Sequence, residues 1–132
     1  MKKIVFLFSI IGLLSSCNNN DDLRSNTDLV GEWKLIEVLA DPGDGSGTFS
    51  AVESNKIIRF HPDGTITSNG SICSMSIEAN NPTSGTYSIT NSTFNSPDCD
   101  NSDYDYQFEH KGNILIINYP CIEPCKVKYR KK

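Results

Sequence analysis

Apolar and polar residues alternate most regularly from Tyr104 to Lys111. There Tyr104, Tyr106, Phe108 and His110 are interleaved with Asp105, Gln107, Glu109 and Lys111. Period two over that length predicts a half-buried strand with one aromatic face, which His110 continues. Lys111-Gly112-Asn113 predicts a turn, and the nearly continuous apolar run Ile114 to Tyr119 predicts a central strand. In a last strand over 126–130, Val127 and Tyr129 share one face. Upstream, an apolar-rich run over 32–40 ends at Asp41-Pro42-Gly43. Runs over 56–61 and 65–68 flank Pro62-Asp63-Gly64 and predict a hairpin. Further short strands are expected over 72–77, over 86–90 after Pro82-Thr83-Ser84-Gly85, and near Thr93. This part of the chain shows no helical periodicity, and turn signals recur about every 8–12 residues, the spacing of an all-β sandwich or barrel.

The first residues follow a different pattern. Lys2 and Lys3 precede the apolar run Ile4 to Leu14, which is broken only by Ser9 and Gly12. The run is shorter than the ~20 residues of a membrane span and reads as a secretory signal peptide. It ends in Leu14-Ser15-Ser16-Cys17, which resembles the lipobox of bacterial lipoproteins. The resemblance implies that residues 1–16 are removed and that Cys17 carries the lipid. Several acyl chains, palmitate among them, then give stable anchoring where one would be marginal. Asn18 to Thr27 lack apolar periodicity, so 17–27 are expected to be the lipidated Cys and a flexible tether, with an r.m.s. reach of roughly 17–19 Å. Asp21 and Asp22 resemble the surface-export signal of Bacteroidetes lipoproteins. The expected location is the cell envelope, anchored to the outer membrane and facing either the periplasm or the cell surface.

That processing changes the charge. The chain of 132 residues carries 12 basic and 16 acidic residues, for a net −4. Loss of Lys2 and Lys3 leaves 10 against 16, or −6. A nucleic-acid partner, which needs a basic face, is not expected. Lys126, Lys128, Arg130, Lys131 and Lys132 are read as the solvated residues of an edge strand, discouraging edge-to-edge pairing.

Residues 28–132 carry an ordered set of short motifs: Gly31-Glu32-Trp33, Phe60-His61-Pro62-Asp63-Gly64-Thr65, Ser84-Gly85-Thr86-Tyr87, Leu115-Ile116-Ile117 and Val127-Lys128-Tyr129-Arg130. The set resembles the small lipocalin-like domains of bacterial lipoproteins. A second resemblance, to heat-shock META-type lipoprotein domains, shares Gly-x-Trp, but the Gly-Cys-Asn signature of that group is missing. Lipocalin likeness implies a small antiparallel up-and-down β-barrel of about eight short strands. It implies that Trp33 plugs the closed end, with Arg130 or Lys128 as its cation–π partner. It also implies that the loop 41–50 overhangs the mouth. Strands of ~5–8 residues span ~17–27 Å, and an eight-stranded barrel is just wide enough to be filled by side chains or to hold one small ligand. The expected ligand is a small hydrophobic or amphipathic molecule lined by Trp33, Tyr87, Tyr104, Tyr106, Phe108, Leu115 and Ile117. The alternative is a solid barrel, a non-enzymatic structural or interaction module touching an envelope protein or glycan. A monomer is expected in either case.

With Cys17 assigned to lipid, Cys73, Cys99, Cys121 and Cys125 remain. An even number in an exported domain reads as two disulfides. Three connectivities exist, and Cys73–Cys99 with Cys121–Cys125 is preferred because Cys121-Ile122-Glu123-Pro124-Cys125 is a tight loop. A thiolate–His110 metal site is disfavoured, since Cys-x3-Cys has no second close pair. Asp98, Asp100, Asp103 and Asp105 crowd one loop in the manner calcium favours, but the EF-hand pattern fails, so a solvated loop is expected. His61 falls in a turn. No nucleophile–base pair and no nucleophile-elbow, zincin or phosphate-loop motif is present. Neither an enzymatic activity nor a cofactor is expected.

Overall fold

The structure, a computed structural model, describes residues 28–132. The expected signal peptide 1–16, Cys17, Asp21, Asp22 and the rest of the tether lie outside the described residues. The elements are β1 (Gly31–Ala40), β2 (Ser50–Ala51), β3 (Ile57–Phe60), β4 (Thr65–Ser68), β5 (Thr83–Ser88), β6 (Thr93–Asn95), β7 (Tyr106–Lys111), β8 (Ile114–Tyr119) and β9 (Cys125–Lys131). All pairings are antiparallel, from β1 to β3 and then in chain order to β9, which pairs back onto β1. Eight strands therefore close a barrel. The short β2 is a ninth strand, beside the far half of β1 at Glu37↔Ala51 and Val38↔Ser50.

Alternation along the strands fills the barrel. On β7, Tyr106 and Phe108 are buried between exposed Gln107 and Glu109. On β8, Leu115, Ile117 and Tyr119 point inward, and on β9 Val127 and Tyr129 do so. With Trp33, Leu35, Ile58, Phe60, Ile66 and Phe94 they form one core. In β1 the pairing with β9 shifts between Leu35 and Glu37. This bulge lets Trp33 and Leu35 face the core before it and Val38 after it.

The connections differ at the two ends. One end carries the tight turns after β3, β5 and β7 together with both chain ends of the barrel. The other carries the longer loops 41–49, 69–82, 96–105 and 120–124.

Three expectations need correcting. Residues 72–77 form a loop, not a strand. The strand expected over 86–90 begins earlier, at Thr83, and ends at Ser88. Gly85 sits within that strand because a Cβ there would lie 2.0 Å from the Asn95 carbonyl oxygen. The glycine that looks like a turn is thus required by strand-to-strand approach. Finally, β9 is no edge strand, since β8 and β1 flank it. Its four cations, and Lys132 just beyond it, therefore do not guard an edge.

Candidate functional site

The expected ligand-lining side chains meet inside the barrel, packed on one another. Trp33, Leu115 and Ile117 have no exposure, and Phe108 and Tyr106 have 4% and 5%. Phe60 lies edge-on to Tyr87 at 5.0 Å and to Phe108 at 5.6 Å. Tyr106 stacks on Phe94 at 5.1 Å and meets Tyr104 and Tyr119 edge-on at 4.9 and 5.7 Å. Such pairs bury ring area and add ~0.5–1.5 kcal/mol each beyond it. Tyr104 and Tyr87 are only partly buried, and the Tyr87 hydroxyl donates to the His61 carbonyl at 2.6 Å. None of the four described clefts is walled by Trp33, Tyr104, Tyr106, Phe108, Leu115 or Ile117.

At the long-loop end the mouth is plugged. Ile72, in the loop 69–82, is fully buried and belongs to the core. Three ties hold it there. The buried Tyr119 hydroxyl donates to the Ile72 carbonyl at 3.1 Å. Cys73 is bonded to Cys99 of the loop 96–105. Lys56, wholly buried just before β3, donates its Nζ to the Ser76 carbonyl at 2.7 Å. Burial without a carboxylate partner among the described residues lowers the Lys56 pKa from 10.5 to about 8. Burial raises the Tyr119 and Tyr129 phenols above their ordinary range. The Tyr129 hydroxyl, in the interior, has no hydrogen-bond partner among the described residues.

Around this plug the other loops are tied down. Asp41 accepts the backbone N–H groups of Gly43, Gly45 and Gly47 at 2.8, 3.1 and 2.8 Å. Those bonds, Gly43 foremost and then Gly47, lower its pKa. The Asp41 N–H donates to the Pro124 carbonyl at 3.1 Å, joining the first loop to the loop 120–124. Cys121 is bonded to Cys125, as the preferred connectivity has it, and Ile122 between them is fully exposed. The loops 41–49, 69–82, 96–105 and 120–124 hold Asp41, Asp44, Glu78, Asp98, Asp100, Asp103, Asp105 and Glu123 and no basic residue. Asp98 accepts the Ser84 N–H at 2.8 Å, and Asp105 accepts from the Asn95 amide at 3.0 Å. Among the described residues no three His, Cys, Asp or Glu side chains group as a metal site.

The opposite end is closed by Trp33. Its indole Nε1 donates to the Leu29 carbonyl at 2.8 Å, and its ring meets His110 edge-on at 5.3 Å. His110 is a half-buried structural residue there, and His61 bonds Thr67 Oγ1 at 2.8 Å. The expected closing pair is corrected by the fold. Arg130 is exposed and points outward opposite Lys34, while Lys128 pairs with Glu37. The cation over the Trp33 ring is Lys131, its Nζ 5.6 Å from the ring centroid. Period two on β9 places 131, not 130, on the side of Val127 and Tyr129.

Sequence reasoning missed Ile72, Lys56 and Lys131. The alternation of β9 signals Lys131. For Lys56, only its place at the start of an apolar run hints at burial.

Over residues 29–117 the chain matches the family described as lipocalin-like domain. No curated protein and no solved structure matches the chain.

Proposed function

The chain belongs to the lipocalin-like domain family, whose barrel is a ligand-binding type of fold, and from that premise we propose that it is a lipid-anchored envelope protein that binds its partner with the long-loop end of a filled barrel. Cys17 carries the anchor, 17–27 form the tether and 28–132 the barrel. The partner is a protein or glycan of the envelope, met at the outer membrane from its periplasmic face or at the cell surface. Packing of the interior is the observation that carries this reading. Ile72 caps a core in which Trp33, Ile58, Ile66, Leu115, Ile117, Val127 and Tyr129 have no exposure. Contacts are left to the outside, where disulfide-held loops present Ile122. Native mass spectrometry of the protein from its own membrane tests this. An acyl mass on Cys17, four lost thiol protons and no co-purifying small molecule are expected. An interior ligand recovered in stoichiometric amount would overturn the reading.

One observation favours a second reading, in which the barrel holds a small amphipathic molecule. The Tyr129 hydroxyl is buried without a partner among the described residues, a costly arrangement that a ligand oxygen would relieve. In that reading the loop 69–82 is displaced on binding, and the recovered ligand is lost in Tyr129→Phe.

A further inference from the structure

Closure of the barrel leaves the C-terminal cations without the role of guarding an edge, and their placement points elsewhere. On the outer wall Lys34 and Arg130 are direct partners on adjacent strands. Like charges facing each other across a ladder destabilise it, and neither has a carboxylate partner among the described residues. The nearby carboxylates are engaged: Glu32 by Arg59 and Lys132, and Glu37 by Lys128. Lys34, Arg130, Lys131 and Lys132 border a cleft of about 420 Å³, with Leu35, Ile36, Ala51, Val52 and Ser54 and a single carboxylate, Glu53. Read across β8, β9, β1 and β3, the outer row is Ile114, Arg130, Lys34, Ile57. Cations flanked by half-buried isoleucines suit the boundary between lipid headgroups and acyl chains. Asp28, the first described residue, is held at the same end of the barrel as Lys34 and Arg130, where Lys131 Nζ donates to its carbonyl. The eight loop carboxylates lie at the other end.

We propose that the β9–β1 wall around Lys34 and Arg130 docks on the anionic phospholipid headgroups of the membrane that holds the anchor. The inference rests on the anchoring reading above. Docking lays the barrel against the bilayer on its basic wall and turns the acidic loop end, with Ile122, away from the lipid. The headgroup phosphates sit between Lys34 and Arg130 and relieve their mutual repulsion.

The test uses the lipidated protein in nanodiscs of phosphatidylcholine alone or mixed with phosphatidylglycerol. Acetylation of each lysine is followed by mass spectrometry. Lys34 is expected to react about tenfold more slowly in the anionic discs, and Lys56, buried beneath the plug at the long-loop end, to react equally in both. High salt removes the protection. Arg130→Gln, at an exposed position, weakens it about fivefold. Equal Lys34 rates in the two discs overturn the proposal. So does protection by inorganic phosphate in phosphatidylcholine discs, which would mark a small-anion site instead. The mass of Cys17 in the same sample separates the two readings. If no acyl mass is found, anchoring fails, and flotation of the protein with phosphatidylglycerol vesicles still decides docking: floating that Arg130→Gln weakens supports it, and no floating overturns it.

Discussion

Lys56→Met replaces the buried ammonium by an apolar side chain of similar length and so isolates its electrostatic cost. The folded pKa, about 8, lies below the unfolded value of 10.5. The folded state therefore disfavours the charged form, and the unfolded chain binds more protons between those two values. The penalty is fully present below pH 8, shrinks as pH rises from 8 to 10.5 and is gone above. A shift of that size amounts to about 3 kcal/mol below pH 8, of which about 2 kcal/mol is recovered between pH 7 and pH 9.5. Methionine removes the penalty but also the bond to the Ser76 carbonyl, a charge-assisted bond worth ~1.5–3 kcal/mol. The two proteins should thus be nearly equally stable at pH 7, with the parent ahead by about 2 kcal/mol at pH 9.5. The assay is urea unfolding with disulfides intact, followed by fluorescence of Trp33, the single tryptophan. The buried phenols of Tyr119 and Tyr129 have raised pKa values, so both proteins lose stability above about pH 10; the comparison cancels that loss. A parent–variant difference that stays constant from pH 7 to pH 9.5 would refute the argument.

Replacing both Cys73 and Cys99 by Ala opens a loop with a sequence separation of 26 and should cost about 3–4 kcal/mol; hydrogen exchange should show the amides near Ile72 losing protection first. Ile72→Ala leaves a cavity beneath the plug and should cost ~2–5 kcal/mol, and an apolar fluorescent dye should then bind the barrel, whereas the parent protein excludes it. In Tyr129→Phe the unpartnered hydroxyl is removed, so thermal unfolding should be unchanged or slightly later, by up to ~1–3 kcal/mol. A marked loss of stability there would mean that the hydroxyl has a partner.

Much of the barrel was legible from local patterning. Alternation identified β7 and the inward pair Val127 and Tyr129, because a strand with one buried face must repeat every two residues. The Pro-Asp-Gly and Lys-Gly-Asn turns marked hairpins because their residue types suit tight reversals. Cysteine parity and loop tightness anticipated both bridges. The plug was not legible. Ile72, Cys73 and Ile77 form a short apolar run whether they extend a sheet or fold over a mouth, and only tertiary contacts distinguish the two. Gly85 misled for a related reason, since the close approach it permits involves Asn95 on another strand. Nor could the edge reading of β9 be tested locally. Closure against β1 depends on residues about a hundred positions apart, and patterning carries no information on that distance.

The pairing of β1 with β9 also sets when this molecule can exist. Val38 meets Val127 and Ala40 meets Cys125, so the first strand stays half-paired until β9 has been made. Pairing so distant in sequence is slow to form. A chain stopped before Cys125 presents two open edges and lacks Val127 and Tyr129 from its core. A product truncated before β9 is therefore a substrate for proteolysis rather than a partly working protein.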